Sequence, residues 1–147
     1  MYKLTLMKKV NLLIIFLFVS IACFSQTADE TAIRKLMADQ AAAWNKGNID
    51  DFMKAYWNND SLTFIGHGGI TYGYSNTLNN YKKNYSDSAK MGKLFFTLIK
   101  LKRLSAEYYF VTGKWFLKRS IGDIGGYYTL LFRKIKGNWY IITDHTS

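Results

Sequence analysis

The chain has 147 residues, enough for one domain and not for two. Hydrophobic residues make up 49% of it and aromatics 17%, so a packed core is within reach and the aromatics exceed what a minimal core needs. The formal net charge is +10, but the basic residues are scattered, with no basic arm or helix, which argues against nucleic acid as a partner.

The first 25 residues read as a secretory signal peptide. Lys8-Lys9 precede an apolar run from Val10 to Ala22, and small residues follow at Ala22, Cys23 and Ser25. The run is shorter than the ~20 apolar residues that span a bilayer. Met7-Lys8-Lys9 is a better opening for such a leader than Met1. Cleavage after Ser25 leaves Gln26 as the mature end and places residues 26–147 in the periplasm or outside the cell. The alternative is a lipoprotein anchored to the membrane at Cys23, but Ser20 stands where a lipobox carries an apolar residue. Simple cleavage removes the only cysteine, so the mature domain has no disulfide and no thiolate metal site. The leader holds three lysines and no acid, which leaves 17 basic against 10 acidic residues in the mature chain, or +7.

After the leader, Asp29 to Asn45 has apolar residues at helical spacing: Ile33, Leu36, Met37, Ala41 and Trp44, with Gln40 among them. Gly47 ends this helix. Asn48 or Asp50 caps a second helix that runs to about Trp57 and buries Phe52, Met53 and Tyr56. Ser61 to Ile65 reads as a strand, Gly66-His67-Gly68-Gly69 as a turn and Ile70-Thr71-Tyr72 as the returning strand. A third helix follows from Ser75 or Asn76 to about Tyr85, then a loop over Ser86 to Met91. Four strands complete the chain: Lys93 to Lys102, Tyr108 to Arg119, Tyr127 to Ile135 and Trp139 to Thr146. They are long sequence neighbours and should form an antiparallel meander. Gly113 and Gly125-Gly126 let the sheet bend. The order helix-helix-strand-strand-helix-four strands predicts an α+β, cone-shaped two-layer domain, with three helices packed in a strongly curved antiparallel sheet around an internal pocket.

This order, together with Trp44, Gly47, Phe52, Tyr56, Asp60, Phe64, the Gly66 to Gly73 hairpin and the closing Gly137-Asn138-Trp139-Tyr140-Ile141-Ile142 with Asp144-His145-Thr146-Ser147, resembles the nuclear transport factor 2-like superfamily. Within it the chain is similar to the SnoaL-like and ketosteroid-isomerase-like branch. The likeness covers Asp29 to Ser147. It implies the cone-shaped fold and a homodimer pairing through the outer sheet face. It does not imply one activity, because the superfamily holds isomerases, cyclases, dehydratases and non-catalytic binding modules. The catalytic Asp of the steroid isomerases would fall near Ile65, which is apolar. Asp144 is a loose positional analogue of the late-strand acid of some SnoaL-like cyclases.

The polar candidates are few. His145 is a candidate acid or base, since imidazole titrates near neutral pH. Strict alternation puts Trp139, Ile141, Thr143 and His145 on one face of the last strand and Tyr140, Ile142 and Asp144 on the other. If His145 faces the pocket, Asp144 is outside. His67 reads as a turn residue. No spaced ligand motif supports a metal, and no cofactor is expected. Trp44, Phe52, Tyr56, Tyr72, Tyr81, Trp115 and His145 are the expected ligand-binding set, suited to a small apolar or aromatic molecule. The leading expectation is therefore an exported small-molecule-binding domain. The alternatives are an isomerase, cyclase or dehydratase using His145 with Tyr56 or Tyr81 as hydrogen-bond donor, and a dimeric protein-interaction module.

Overall fold

The computed structural model describes residues 28–147, and the leader, Cys23 and Gln26 lie outside the described residues. The chain divides into two units, Met1–Ala32 and Ile33–Ser147. Of the first, residues 28–32 open helix α1, which spans residues 28–45. The second unit holds the rest of α1 and all later elements.

The helical stripe read from the sequence is the buried one: Ile33, Met37, Gln40 and Trp44 are all buried. Two fixings close α1. The Gly47 N–H donates to the Trp44 carbonyl at 2.8 Å, with Gly47 at a φ of +78° that favours glycine. The Asn45 amide then acts as a short piece of strand. Its Oδ1 accepts from Leu94 N at 2.7 Å and its Nδ2 donates to Leu94 O at 3.0 Å. Helix α2 (Ile49–Met53) starts at the Asn48 cap and is only five residues long.

The expected extension of α2 to Trp57 does not form. Residues 55–57 leave the helix and run beside the last strand, where Trp57 N–H donates to Ile141 O and Ile141 N–H donates to Ala55 O, both at 2.9 Å. A pair of bonds to a buried strand outweighs the weak propensity of one more helical turn.

Strands β1 (Thr63–Gly66) and β2 (Gly69–Tyr72) form the expected hairpin. Helix α3 (Tyr74–Asn84) follows. The segment read as a loop contains a short helix, α4 (Ser88–Met91), capped by the Asp87 carboxylate accepting from Lys90 N at 2.9 Å. Then come β3 (Lys93–Arg103), β4 (Tyr108–Lys118), β5 (Ile124–Ile135) and β6 (Asn138–Thr146). These four form the antiparallel meander. β1 adds to β6 in parallel, so the six-stranded sheet is mixed, in the order β2-β1-β6-β5-β4-β3. The class is α+β, with helices over one face of a curved sheet.

Two bulges set the curvature. In β3, Leu98 pairs with Gly113 and Lys100 with Thr112, so Ile99 is the extra residue. In β6, Thr143 pairs with Leu131 and Ile141 with Phe132, so Ile142 is extra. The glycines expected to permit bending also serve close approach. A Cβ on Gly113 would overlap the Tyr128 hydroxyl, and one on Gly126 would overlap the Ser147 carbonyl oxygen.

Candidate functional site

A cavity of about 440 Å³ lies between the helices and the inner sheet face. Trp44, Phe52, Tyr56, Tyr81 and Trp115 line it, as do Phe64, Tyr85, Phe96 and Tyr128. The helical aromatics meet edge to face. Trp44 lies 5.0 Å from Phe52 and 4.8 Å from Tyr85, and Phe52 lies 5.1 Å from Tyr81, ring centre to ring centre. The Trp44 indole is fixed at its polar end, where Nε1 donates to Met91 O at 3.0 Å.

Two members of the expected set are elsewhere. Tyr72 sits on the edge strand β2, 61% exposed, and does not line the cavity. His145 is also exposed and absent from the wall. The reason is the Ile142 bulge. One extra residue inverts the alternation that follows it, so Trp139, Ile141 and Asp144 are buried together while His145 faces away. The register agrees: Phe64 of β1 pairs with Asp144 and lines the cavity, whereas Ile65 pairs with His145 and does not. His67 lies exposed on the β1–β2 turn at the cavity rim.

Asp144 is thus the acid of the cavity wall, and it is only 5% exposed. Its Oδ2 accepts from the Tyr56 hydroxyl at 2.6 Å, and the Tyr56 and Tyr81 hydroxyls are 3.4 Å apart. The backbone bonds between residues 55–57 and Ile141 set this geometry, because they hold Tyr56 beside Ile141, three residues before Asp144. Burial pushes the Asp144 carboxyl up to about 7, and the Tyr56 hydrogen bond opposes that rise only in part. Burial likewise raises the phenols of Tyr56, Tyr81 and Tyr128, with the neighbouring Asp144 carboxylate adding to each.

Sequence reasoning did not single out Gln40 and Tyr128 as site residues, yet both are buried on the cavity wall. Neither side chain has a hydrogen-bond partner, nor do Asp144 Oδ1 and Trp115 Nε1. The only advance signal for Gln40 was an amide standing in an apolar helical stripe. Among the described residues no three His, Cys, Asp or Glu side chains come together as a metal site would need. Chemically, the arrangement offers an aromatic slot with one neutralisable carboxyl and several unpaired polar groups at its wall.

No protein-family model matches the chain, and no curated protein does. Solved structures do. An NTF-2 like protein of unknown function from Shewanella oneidensis MR-1 is 40% identical, with a TM-score of 0.78 over 81% of this chain and 98% of that one. The chain belongs to the NTF2-like family. Two more distant neighbours share the fold. One is an NTF2-like protein of unknown function from Pseudomonas putida KT2440, at 18% identity, TM-score 0.68, covering 82% of this chain and 87% of that one. The other is the hexachlorocyclohexane dehydrochlorinase LinA-type3 from Novosphingobium barchaimii LL02, at 18% identity, TM-score 0.70, covering 84% and 88%. Proteins of unknown function and a dehydrochlorinase thus share this fold.

Proposed function

We propose that this NTF2-like domain binds a small molecule in the cavity between α1, α3 and the inner sheet face. The observation that carries the reading is a pocket-sized cavity with an aromatic wall and a buried, half-paired carboxyl at Asp144. Export to the periplasm or beyond is part of the proposal and rests on the Lys8-Lys9 opening and the apolar run after it. Native mass spectrometry of the protein purified from an exporting host tests the binding. One small molecule retained per chain is expected. A bare chain, with no thermal shift from a screen of small ring compounds, would count against it.

Acid–base chemistry on the bound molecule is the second reading, and one observation favours it. A carboxyl held at about 7 gives or takes a proton at neutral pH, and this one belongs to Asp144 rather than His145. The dehydrochlorinase neighbour adds that the scaffold hosts an enzyme. A base that takes a carbon-bound proton from the bound molecule, exchanges it with heavy water and returns it would incorporate deuterium into that molecule. Asp144→Asn should stop that incorporation, and unchanged incorporation would remove Asp144 from the role.

The outer sheet face supports a further reading, pairing with a second copy. Phe95, Phe110, Phe116 and Tyr127 are exposed there, and Phe95 and Phe116 lie 6.4 Å apart. Sedimentation should give a dimer that Phe116→Lys converts to monomer. A wild-type monomer would end this reading.

A further inference from the structure

We infer that the outer face of the sheet, over β3, β4 and β5, docks the domain on a bilayer surface rich in anionic phospholipid. Register assembles this face. On β4 the buried Tyr109, Val111 and Leu117 alternate with Phe110, Lys114, Phe116 and Lys118, which are exposed on the side away from the cavity. Cross-strand partners share a face, so Phe95, Lys100 and Lys102 of β3 and Tyr127 and Arg133 of β5 join them. Cations that are scattered along the sequence are thus gathered on one surface, around a patch of exposed rings.

The charge of that surface is one-sided. The six strands carry a single acid, Asp144, and it is buried. The ion pairs of the described residues lie on the helical side, Lys35–Asp39, Lys54–Asp51, Lys82–Asp50 and Lys90–Asp87. Lys100, Lys102, Lys114 and Lys118 take no part in them. The rings alone would serve a second copy equally well, but the cations decide against it. Two-fold pairing through this face would put the lysines of both copies into one interface with no acid between them.

The kind of cation selects among anionic partners. The lysines are hydrated point charges on flexible stems. The one arginine, Arg133, is set over the Tyr108 ring, 5.7 Å from its centre. The face therefore lacks a row of free planar forks to grip the carboxylates of an acidic protein in pairs. It suits phosphates that move laterally, as lipid headgroups do. Phe95, Phe110 and Phe116 then enter the boundary between headgroups and acyl chains, while the lysine stems reach past them to the phosphates. The cavity lies on the other face of the sheet, so this inference stands apart from the pocket reading.

Cosedimentation with vesicles tests it, using the protein purified from an exporting host. One set of vesicles is phosphatidylcholine alone, and the other has phosphatidylglycerol added at roughly one part in three. The wild type should bind the anionic set about tenfold tighter or more, and lose that preference in roughly 0.5 M NaCl. Lys102→Gln and Lys114→Gln should each weaken binding about fivefold, the factor that one lysine near an anionic surface contributes. Lys83→Gln removes the same charge from α3 and should change binding by less than about twofold. Phe116→Ser should weaken binding and leave its salt dependence in place. All four side chains are exposed, so these variants keep the fold. Equal binding to neutral and anionic vesicles would overturn the inference and point to an apolar segment or lipid anchor at the N-terminus. Equal losses from Lys83→Gln and Lys114→Gln would overturn it by reducing the effect to net charge. Absence of vesicle binding would overturn it too. Binding to soluble polyglutamate would then assign the face to an acidic protein, and a dimer tightened by Lys114→Gln would assign it to a second copy.

Discussion

The Tyr56 hydroxyl donates to Asp144 Oδ2 across 2.6 Å, joining a residue just past the second helix to one near the end of the last strand. This bond exists because of two irregularities. The chain leaves α2 early so that Trp57 and Ala55 can bond Ile141, and β6 bulges at Ile142 so that Asp144 turns inward. Either feature alone would leave the pair apart.

Asp144 makes stability depend on pH in a defined direction. Its folded value, about 7, is above the ~3.9 of an unfolded Asp. The native state therefore holds a proton that the unfolded state has released between these limits. The contribution is fully present below about pH 4 and is lost as pH rises through 7. The groups facing Asp144 are the phenols of Tyr56, Tyr81 and Tyr128, none of which supplies a positive charge. Asp144→Asn should match wild type near pH 4 and be more stable above pH 8 by a few kcal/mol, at about 1.4 kcal/mol for each pH unit between the folded and unfolded values. Urea unfolding at pH 4.5, 7 and 8.5 measures this. A stability difference independent of pH would contradict it.

Removing the donor has the opposite effect. Tyr56→Phe deletes the bond that favours the charged carboxyl, so the Asp144 carboxyl should titrate higher still. The variant should lose about 1–3 kcal/mol above pH 8 and less at pH 5, where the carboxyl is neutral. The same unfolding series, run on both proteins, separates the two conditions.

Gly113 is required by Tyr128. A Cβ there would overlap the Tyr128 hydroxyl and come within 2.6 Å of Thr97 O. Gly113→Ala should cost about 1–3 kcal/mol and push the phenol out of place. In a Tyr128→Ala background the cost should shrink, since one of the two clashes is gone. Additive costs would show that the glycine serves the backbone alone.

His145 is exposed on the opposite face, so His145→Ala should leave ligand binding in the cavity unchanged within about twofold, a free-energy change of ~0.4 kcal/mol. Titration with the small molecule retained in native mass spectrometry reads it directly. A large loss would mean that the face assignment of β6 is wrong.

Much of the scaffold was legible because it follows spacing. The stripe Ile33, Met37, Gln40 and Trp44, the β1–β2 hairpin and the four-strand meander all come from local periodicity. The site was less legible because its geometry depends on departures from periodicity. Ile142 and Thr143 carry no glycine or other marker of a bulge, so strict alternation grouped His145, rather than Asp144, with Trp139 and Ile141. The early end of α2 is dictated by Ile141, 85 residues beyond Tyr56, and nothing local announces it. The α4 turn did have a signal in its Asp87 cap. Tyr72 was read as a wall residue from its aromatic character, but on the edge strand it faces solvent.

The site turns on Asp144 being buried at the cavity wall and paired with Tyr56, while His145 is outside. Carbon-13 NMR titration of the aspartate carboxyls tests this most directly, with Asp144→Asn assigning the signal. The expected midpoint for Asp144 is near 7, moving upward in Tyr56→Phe. A midpoint near the ~3.9 of a solvated Asp, indifferent to Tyr56, would contradict it.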